Sequence, residues 1–297
     1  AEKVEPSVVS IVTETQIQSY YGTTSGEGAG TGIIVSEDGY VMTNNHVIDG
    51  ATTVSVIDSE GALYDDVEVI GRDPLNDIAF LKINSTDTFT PAELGNSSSI
   101  RVGQQVVAIG NALGQYSNSV TSGIISGTGR PVTAGTDSGA TETLTDLIQT
   151  DASINRGNSG GPLFDMNGNV VGINTAIFSQ SGGSVGIGFA ISSNLAKQVT
   201  DQLRKYGRTK RGWLGVLIQQ ITQDITDSLG LKEVKGALVS SATENGPAFN
   251  AGIKSGDVIT KFNNVEIKNM KELPKVVAGT PVGESVPIEI WRNGKTK

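Results

Sequence analysis

The chain has 297 residues, 37% of them hydrophobic and 18% charged, enough apolar material for a real core spread over roughly two domains. Its net charge of −9 argues against nucleic acid as a partner, because phosphate binding runs on Lys and Arg. It holds no cysteine and one histidine, His46, which excludes disulfides, a thiol nucleophile and the usual imidazole or thiolate zinc site; no metal and no other cofactor is expected.

From residue 7 to about 191 the chain reads as short strands and turns, and 38 glycines with few aromatics favour an all-β reading. Ser7–Thr15 is a strand, and the alternating glycines of Gly26–Gly32 read as a surface loop feeding the next one. Ile33–Val35, the turn Ser36–Gly39 and Tyr40–Thr43 form a hairpin, with Asp38-Gly39 supplying the positive-φ position. Further strands are Thr53–Ile57, Val67–Ile70, Ile78–Ile83, Gln105–Ile109 and Gly123–Ser126. Residues 131–143 are small and polar and are expected to be a mobile loop. A second hairpin runs Leu163-Phe164, turn Asp165–Gly168, Val170–Ile173.

One helix is clear: Ser192 or Ser193 caps it, Leu195, Val199, Leu203 and Tyr206 give its apolar stripe, and Gly207 ends it. Residues 1–207 are therefore read as one domain, the basic Arg208–Arg211 as a linker and 212–297 as a small α/β-mixed module. That module predicts strands at 213–219, 236–241, 257–262 and 286–291, and helices at 223–229, 247–251 and 270–278, the last with an awkward Pro274. A hairpin opened at Asn293-Gly294 stops at Lys297 without its second arm, so the module is expected to be truncated. Gly294-Lys295-Thr296 imitates the tail of a phosphate loop but has Glu289 where the first glycine belongs. No apolar run is long enough to span a bilayer, and Ala1–Pro6 is not a signal peptide.

The one imidazole suits a serine nucleophile. Ser159 sits in Gly157-Asn158-Ser159-Gly160-Gly161-Pro162-Leu163, a turn too glycine-rich to be ordinary. A hydroxyl attacks only when a base takes its proton, and the base needs a carboxylate to fix its tautomer. Asp77 stands at the head of the apolar Ile78-Ala79-Phe80-Leu81 and is the best orienting acid, whereas Asp73 before Pro74 reads as a turn former. His46, Asp77, Ser159 is one of the chain orders in which the serine triad occurs. The N–H groups of Gly157 and Ser159, with Asn158 between them, are the candidate oxyanion hole.

Thr43–Ile48, Asp77–Lys82 and Gln149–Leu163 closely resemble the bacterial HtrA (Deg) serine proteases, and the resemblance covers essentially the whole chain. It implies a mainly β fold, a chymotrypsin-like double six-stranded β-barrel followed by a small α+β PDZ domain. It implies a serine endopeptidase acting on unfolded or misfolded proteins outside the cytoplasm, as a trimer or higher oligomer, anchored to the membrane in some members. It implies further that Ile154 and Ile177 line the primary specificity pocket, and that Arg130 and Gln149 relay signals to the oxyanion loop. Trp213-Leu214-Gly215-Val216 would be the loop that catches the carboxylate of a C-terminal peptide added as a strand. Asn158 replaces the aspartate that digestive relatives place before the serine, so activation is expected by loop rearrangement rather than N-terminal cleavage. The alternative is a chaperone-like or peptide-binding protein whose protease part rests inactive. Tyr20 and Tyr21 are candidate oligomer contacts or plain loop tyrosines.

Overall fold

The structure is a computed structural model that describes residues 1–19, 22–112, 116–135, 141–177, 183–231 and 233–297. Tyr20 and Tyr21 lie outside the described residues. The chain divides into two compact units, Ala1–Thr209 and Lys210–Lys297.

In the first unit the strands are β1 (Val8–Ser19), β2 (Gly22–Ile34), β3 (Tyr40–Thr43), β4 (Thr53–Ile57), β5 (Leu63–Tyr64), β6 (Val67–Asp73) and β7 (Ile78–Ile83). They form one sheet in the order β5-β4-β1-β2-β3-β7-β6: six strands of four or more residues with the two-residue β5 at the edge. The second sheet holds β8 (Glu93–Leu94), β9 (Gln105–Ala112), β10 (Tyr116–Gly135), β11 (Thr141–Thr150), β12 (Pro162–Asp165), β13 (Asn169–Ile177) and β14 (Gly188–Ser192). Pairing of β12 with both β9 and β13 closes a ring of six, and β8 adds in parallel to β13. The strands of the expected pair of six-stranded barrels are present, each set with one short extra strand, and the second set closes by backbone pairing.

Each barrel has its own apolar filling: Val9, Ile11, Ile34, Val41, Leu81 and Ile83 in the first, Val106, Ile125, Ile148, Ile154, Leu163 and Val171 in the second. A third cluster joins Val8, Met42, Ile78 and Phe80 of the first barrel to Ile109, Phe164, Ile173 and Ile191 of the second. Helix α1 (Asn45–Ile48) is a single turn after β3. Helix α2 (Ser193–Tyr206) lays Ala196, Val199 and Leu203 on the shared cluster and stops at Gly207, whose φ of 65° and N–H bond to the Leu203 carbonyl form a left-handed C-cap.

Two expectations fail in the first unit. Gly26–Gly32 is not a loop: it pairs with β1 from Val9↔Gly32 to Thr15↔Gly26. The glycines are there for clearance. A Cβ on Gly28 would sit 2.5 Å from Thr13 Oγ1, on Gly30 2.5 Å from Val47, and on Gly32 2.6 Å from Val41. Residues 131–143 are not a loop throughout either. Residues 131–135 and 141–143 extend the β10–β11 hairpin through Val132↔Leu144 and Gly135↔Thr141, and only 136–140 lie outside the described residues. Ladder hydrogen bonds need no large side chains, which is why composition misleads there.

The second unit contains β15 (Val216–Gln219), α3 (Gln223–Ser228), β16 (Ala237–Ala242), α4 (Pro247–Asn250), β17 (Val258–Phe262), β18 (Val265–Glu266), α5 (Glu272–Ala278), β19 (Ile288–Arg292) and β20 (Lys295–Thr296). Its core is Leu214, Val239, Ile259, Phe262, Ile267, Leu273 and Val277. Pro274 breaks nothing: α5 starts at Glu272, so the proline lies in the first turn, where N–H groups have no intrahelical partner. The hairpin at Asn293-Gly294 does have a second arm, β20, which pairs Trp291↔Thr296 and Arg292↔Lys295. Among the described residues no helix is long and apolar enough to cross a membrane.

This unit carries an ion pair on a buried carboxylate. Asp257 is 1% exposed; Arg292 donates to it through Nε and Nη2, each at 2.6 Å, and the Lys254 N–H donates at 2.7 Å. Burial alone would raise the Asp257 carboxyl, but the Arg292 and Lys254 hydrogen bonds outweigh it and hold it below its ordinary value. Asp257→Asn should destabilise the second unit, because the partly exposed Arg292 loses its carboxylate and keeps only the Gly252 carbonyl as acceptor among the described residues. A depressed carboxyl stabilises above its unfolded pKa, and that contribution is lost as pH falls through the lower folded value. Thermal unfolding of the whole chain should therefore show the variant's deficit at neutral pH, shrinking as acidification removes the same interaction from the wild type.

Candidate active site

Asp77 follows a short 3-10 turn, Pro74–Asn76, and precedes β7 in a left-handed conformation, φ 53°. Its N–H returns to the Pro74 carbonyl, and Asn44 Nδ2 donates to the Asp77 carbonyl at 2.9 Å. The carboxylate is buried and held from three directions. Oδ1 accepts the His46 backbone N–H at 2.9 Å, Oδ2 lies 2.8 Å from His46 Nδ1, and Thr175 Oγ1 donates to Oδ2 at 2.5 Å. An ionised carboxylate only accepts, so Nδ1 carries the proton and Nε2 presents a lone pair. The His46 side chain is 45% exposed while that of Asp77 is 3% exposed, so the acid lies under the ring and the ring opens to solvent.

Ser159 arrives from the second barrel. Its Oγ donates to the Thr175 carbonyl at 3.4 Å. Thr175, in β13, thus touches the Asp77 carboxylate with its hydroxyl and the Ser159 hydroxyl with its carbonyl. It joins His46, Asp77 and Ser159 into one constellation. Sequence reasoning missed Thr175; the signal was two polar residues, Asn174-Thr175, interrupting an apolar strand.

The segment before Ser159 is a turn in which the Asn158 N–H donates to the Asn155 carbonyl at 3.0 Å. Gly157 occupies its third position at φ 91°, and Arg156 is not among the positive-φ residues, so the turn is type II. Asn158 is therefore no oxyanion donor through its N–H. Its side chain is buried, with Nδ2 facing the Ser153 carbonyl at 3.5 Å and Oδ1 unpaired among the described residues. The N–H groups of Gly157 and Ser159, by contrast, have no acceptor among the described residues. Gly160 (φ 85°) has no room for a side chain: a Cβ would lie 2.2 Å from both the Thr31 carbonyl oxygen and Thr43 Oγ1. Gly160→Ala should displace Ser159 and lower kcat by about 100-fold, read in steady-state peptide hydrolysis beside an unchanged far-UV CD spectrum.

Ile154 is 1% exposed and sits in the filling of the second barrel, where a Cβ on Gly188 would come within 2.7 Å of it. Ile177 ends β13, and its side chain lies outside the described ones. Arg130 and Gln149 fall close together without touching the serine turn through any hydrogen bond among the described residues: the Arg130 guanidinium lies over Gly127, the register partner of Gln149. In the second unit Trp213 is 62% exposed, Leu214 is buried and Gly215 has φ 73°. The Leu214 carbonyl accepts the Ala248 N–H and the Gly215 carbonyl the Thr243 N–H. Gly212, Trp213 and Leu214 line a cavity of about 490 Å³ with Val277, Thr280 and Val286. Among the described residues no group of three or more His, Cys, Asp or Glu side chains is placed to hold a metal ion.

Residues 30–173 match the trypsin-like peptidase domain family, and residues 196–297 match the PDZ domain family. The chain is 49% identical over 269 residues to a probable periplasmic serine endoprotease DegP-like of Brucella suis biovar 1 (strain 1330), covering 90% of this chain and 51% of that protein. It thus spans about half the length of the curated relatives it matches. Among solved structures it is similar to the HtrA-type protease AlgW with tripeptide, at TM-score 0.84 and 40% identity, over 100% of this chain and 92% of the other. The serine endoprotease from Yersinia pestis is similar at TM-score 0.72 and 33% identity, over 100% of this chain and 93% of that one.

Proposed function

We propose that this chain, which belongs to the HtrA-type family of serine proteases with a trypsin-like peptidase domain and a PDZ domain, hydrolyses peptide bonds of unfolded proteins through an acyl-enzyme on Ser159. The observation that carries the reading is Thr175 joining the Asp77 carboxylate to the Ser159 hydroxyl, with His46 on the same carboxylate.

His46 Nε2 takes the Ser159 proton as Oγ attacks the scissile carbonyl, and Asp77 stabilises the imidazolium that forms. The N–H groups of Gly157 and Ser159 receive the oxyanion; each such donor is worth about 3–4 kcal/mol of barrier lowering. The imidazolium then protonates the leaving amine, and water, deprotonated by the same ring, cleaves the ester and restores Ser159. Thr175 acts through Asp77: its hydroxyl occupies a carboxylate lone pair and keeps the acid aimed at His46.

Ile154 and Ile177 set an apolar floor for a small aliphatic side chain before the cleaved bond. Trp213–Val216 captures the carboxylate of a C-terminal peptide that adds beside β15, the edge strand of its sheet. Arg130 and Gln149 pass a signal to the serine turn. Asn158 has no charge to pair with a new N-terminus, so peptide or substrate shifts a population of turn conformations instead. The working protein is a trimer or higher oligomer outside the cytoplasm, in the periplasm or anchored to the envelope.

The test is cleavage of casein at neutral pH with and without a peptide ending in an apolar residue. Fragments that increase with the peptide are expected. Casein bound but never cut, in both conditions, would favour the chaperone-like alternative.

A further inference from the structure

The triad is split between the barrels. His46 and Asp77 flank β3 and β7 of the first, whereas Ser159 and Gly157 precede β12 of the second. Catalysis tolerates little slippage between such halves, since a misplacement of about 1 Å can cost about 100-fold. Some group must register one half against the other.

We infer that Thr31, in β2 of the first barrel, is the positioning residue that sets this register, an inference that rests on the serine-protease reading above. Thr31 is 0% exposed, and every polar group it owns is used. Its N–H donates to the Ser159 carbonyl at 2.9 Å, and its hydroxyl donates to the Gly157 carbonyl at 2.6 Å. That hydroxyl also accepts the Asn111 N–H at 2.9 Å, and its carbonyl accepts Thr43 Oγ1 at 2.7 Å. Thr43 ends β3, three residues before His46. One buried residue therefore holds the peptides on both sides of the Ser159 N–H and ties them to the strand that delivers the base.

The turn holds itself only in part, through its own Asn158 N–H on the Asn155 carbonyl. Glycine accepts either sign of φ, so the sequence Arg156-Gly157 does not by itself choose the turn's orientation. The Gly157–Asn158 peptide is instead pinned at both ends, by Thr31 on its carbonyl and by the Asn155 carbonyl on its N–H. Packing around Thr31 is tight. A Cβ on Gly110 would lie 3.0 Å from Thr31 Oγ1, one on Gly161 2.9 Å from its methyl, and one on Gly160 2.2 Å from its carbonyl oxygen. Three glycines make the space that this threonine fills.

Thr31→Val keeps the shape and removes the hydroxyl. Expected are a fall in kcat of about 10²-fold per active site, a KM within about twofold of wild type, and weaker inhibition by a peptide boronate that needs the oxyanion hole. Thr31→Ser keeps the hydroxyl and should restore kcat to within about threefold. A residue that only supports the fold would lower the melting temperature in both variants without the kcat-against-KM split or the serine rescue. Should Thr31→Val not fold, Thr43→Val cuts the neighbouring link in the same chain and should lower kcat by at least about tenfold. A folded Thr31→Val, or in its stead a folded Thr43→Val, with wild-type kcat and boronate affinity overturns the inference and leaves the protease reading intact. Wild-type protein without Ser159-dependent hydrolysis overturns the reading itself.

Discussion

Ser159→Ala should reduce peptide hydrolysis by about 10⁴-fold or more while leaving the thermal transition within about 2 °C of wild type. Both halves of that expectation come from the geometry. The Ser159 hydroxyl is half-buried and makes one long hydrogen bond, 3.4 Å to the Thr175 carbonyl. The backbone around it carries the structure: the Ser159 carbonyl accepts from Thr31, and the Gly160 N–H donates to the Asn174 carbonyl. Alanine keeps all of these and loses only the nucleophile. Residual rate would reflect the oxyanion donors acting on water attack. A variant that lost stability in step with activity would mean that the hydroxyl is structural.

Asp77→Asn should lower kcat by about 10⁴-fold, equivalent to about 5.4 kcal/mol of barrier, with little change in KM. The carboxylate accepts three hydrogen bonds: the His46 N–H, the His46 Nδ1–H and the Thr175 hydroxyl. An amide cannot accept all three. If its oxygen stays with the backbone N–H, its NH₂ faces Nδ1, forces that nitrogen to accept and puts the ring proton on Nε2. The base then points a proton at Ser159 instead of a lone pair. Thr175 loses its acceptor at the same time. Because His46 still fits sterically, substrate binding survives while the chemical step does not. Kinetics at saturating peptide, with the ring tautomer followed by nitrogen NMR of the single histidine, read both consequences.

The grouping of His46, Asp77 and Ser159 was legible because it rests on local, composition-poor signals: one imidazole, one acid at the head of an apolar strand, one serine among glycines. Hairpins with Asp-Gly and Asn-Gly turns and the Gly207 cap were legible for the same reason. What stayed hidden depends on partners remote in sequence. Gly26–Gly32 reads as a loop because glycine is a poor strand former, and only the side chains of Thr13, Val41 and Val47 reveal why the strand needs it. Thr31 and Thr175 lie 126 residues from Gly157 and 98 residues from Asp77, their partners in hydrogen bonding, a span no periodicity reports. Pro274 looked disruptive because a helix start is uncertain by a residue or two, and its cost depends on that position.

The central claim is that one hydroxyl, activated by one imidazole, is the nucleophile. The most direct measurement is reaction with a fluorophosphonate followed by peptide mapping in a mass spectrometer, with and without a C-terminal peptide. The account predicts one adduct per chain, on Ser159, formed far more slowly in Asp77→Asn. No adduct in either condition, or an adduct on any other residue, would contradict it.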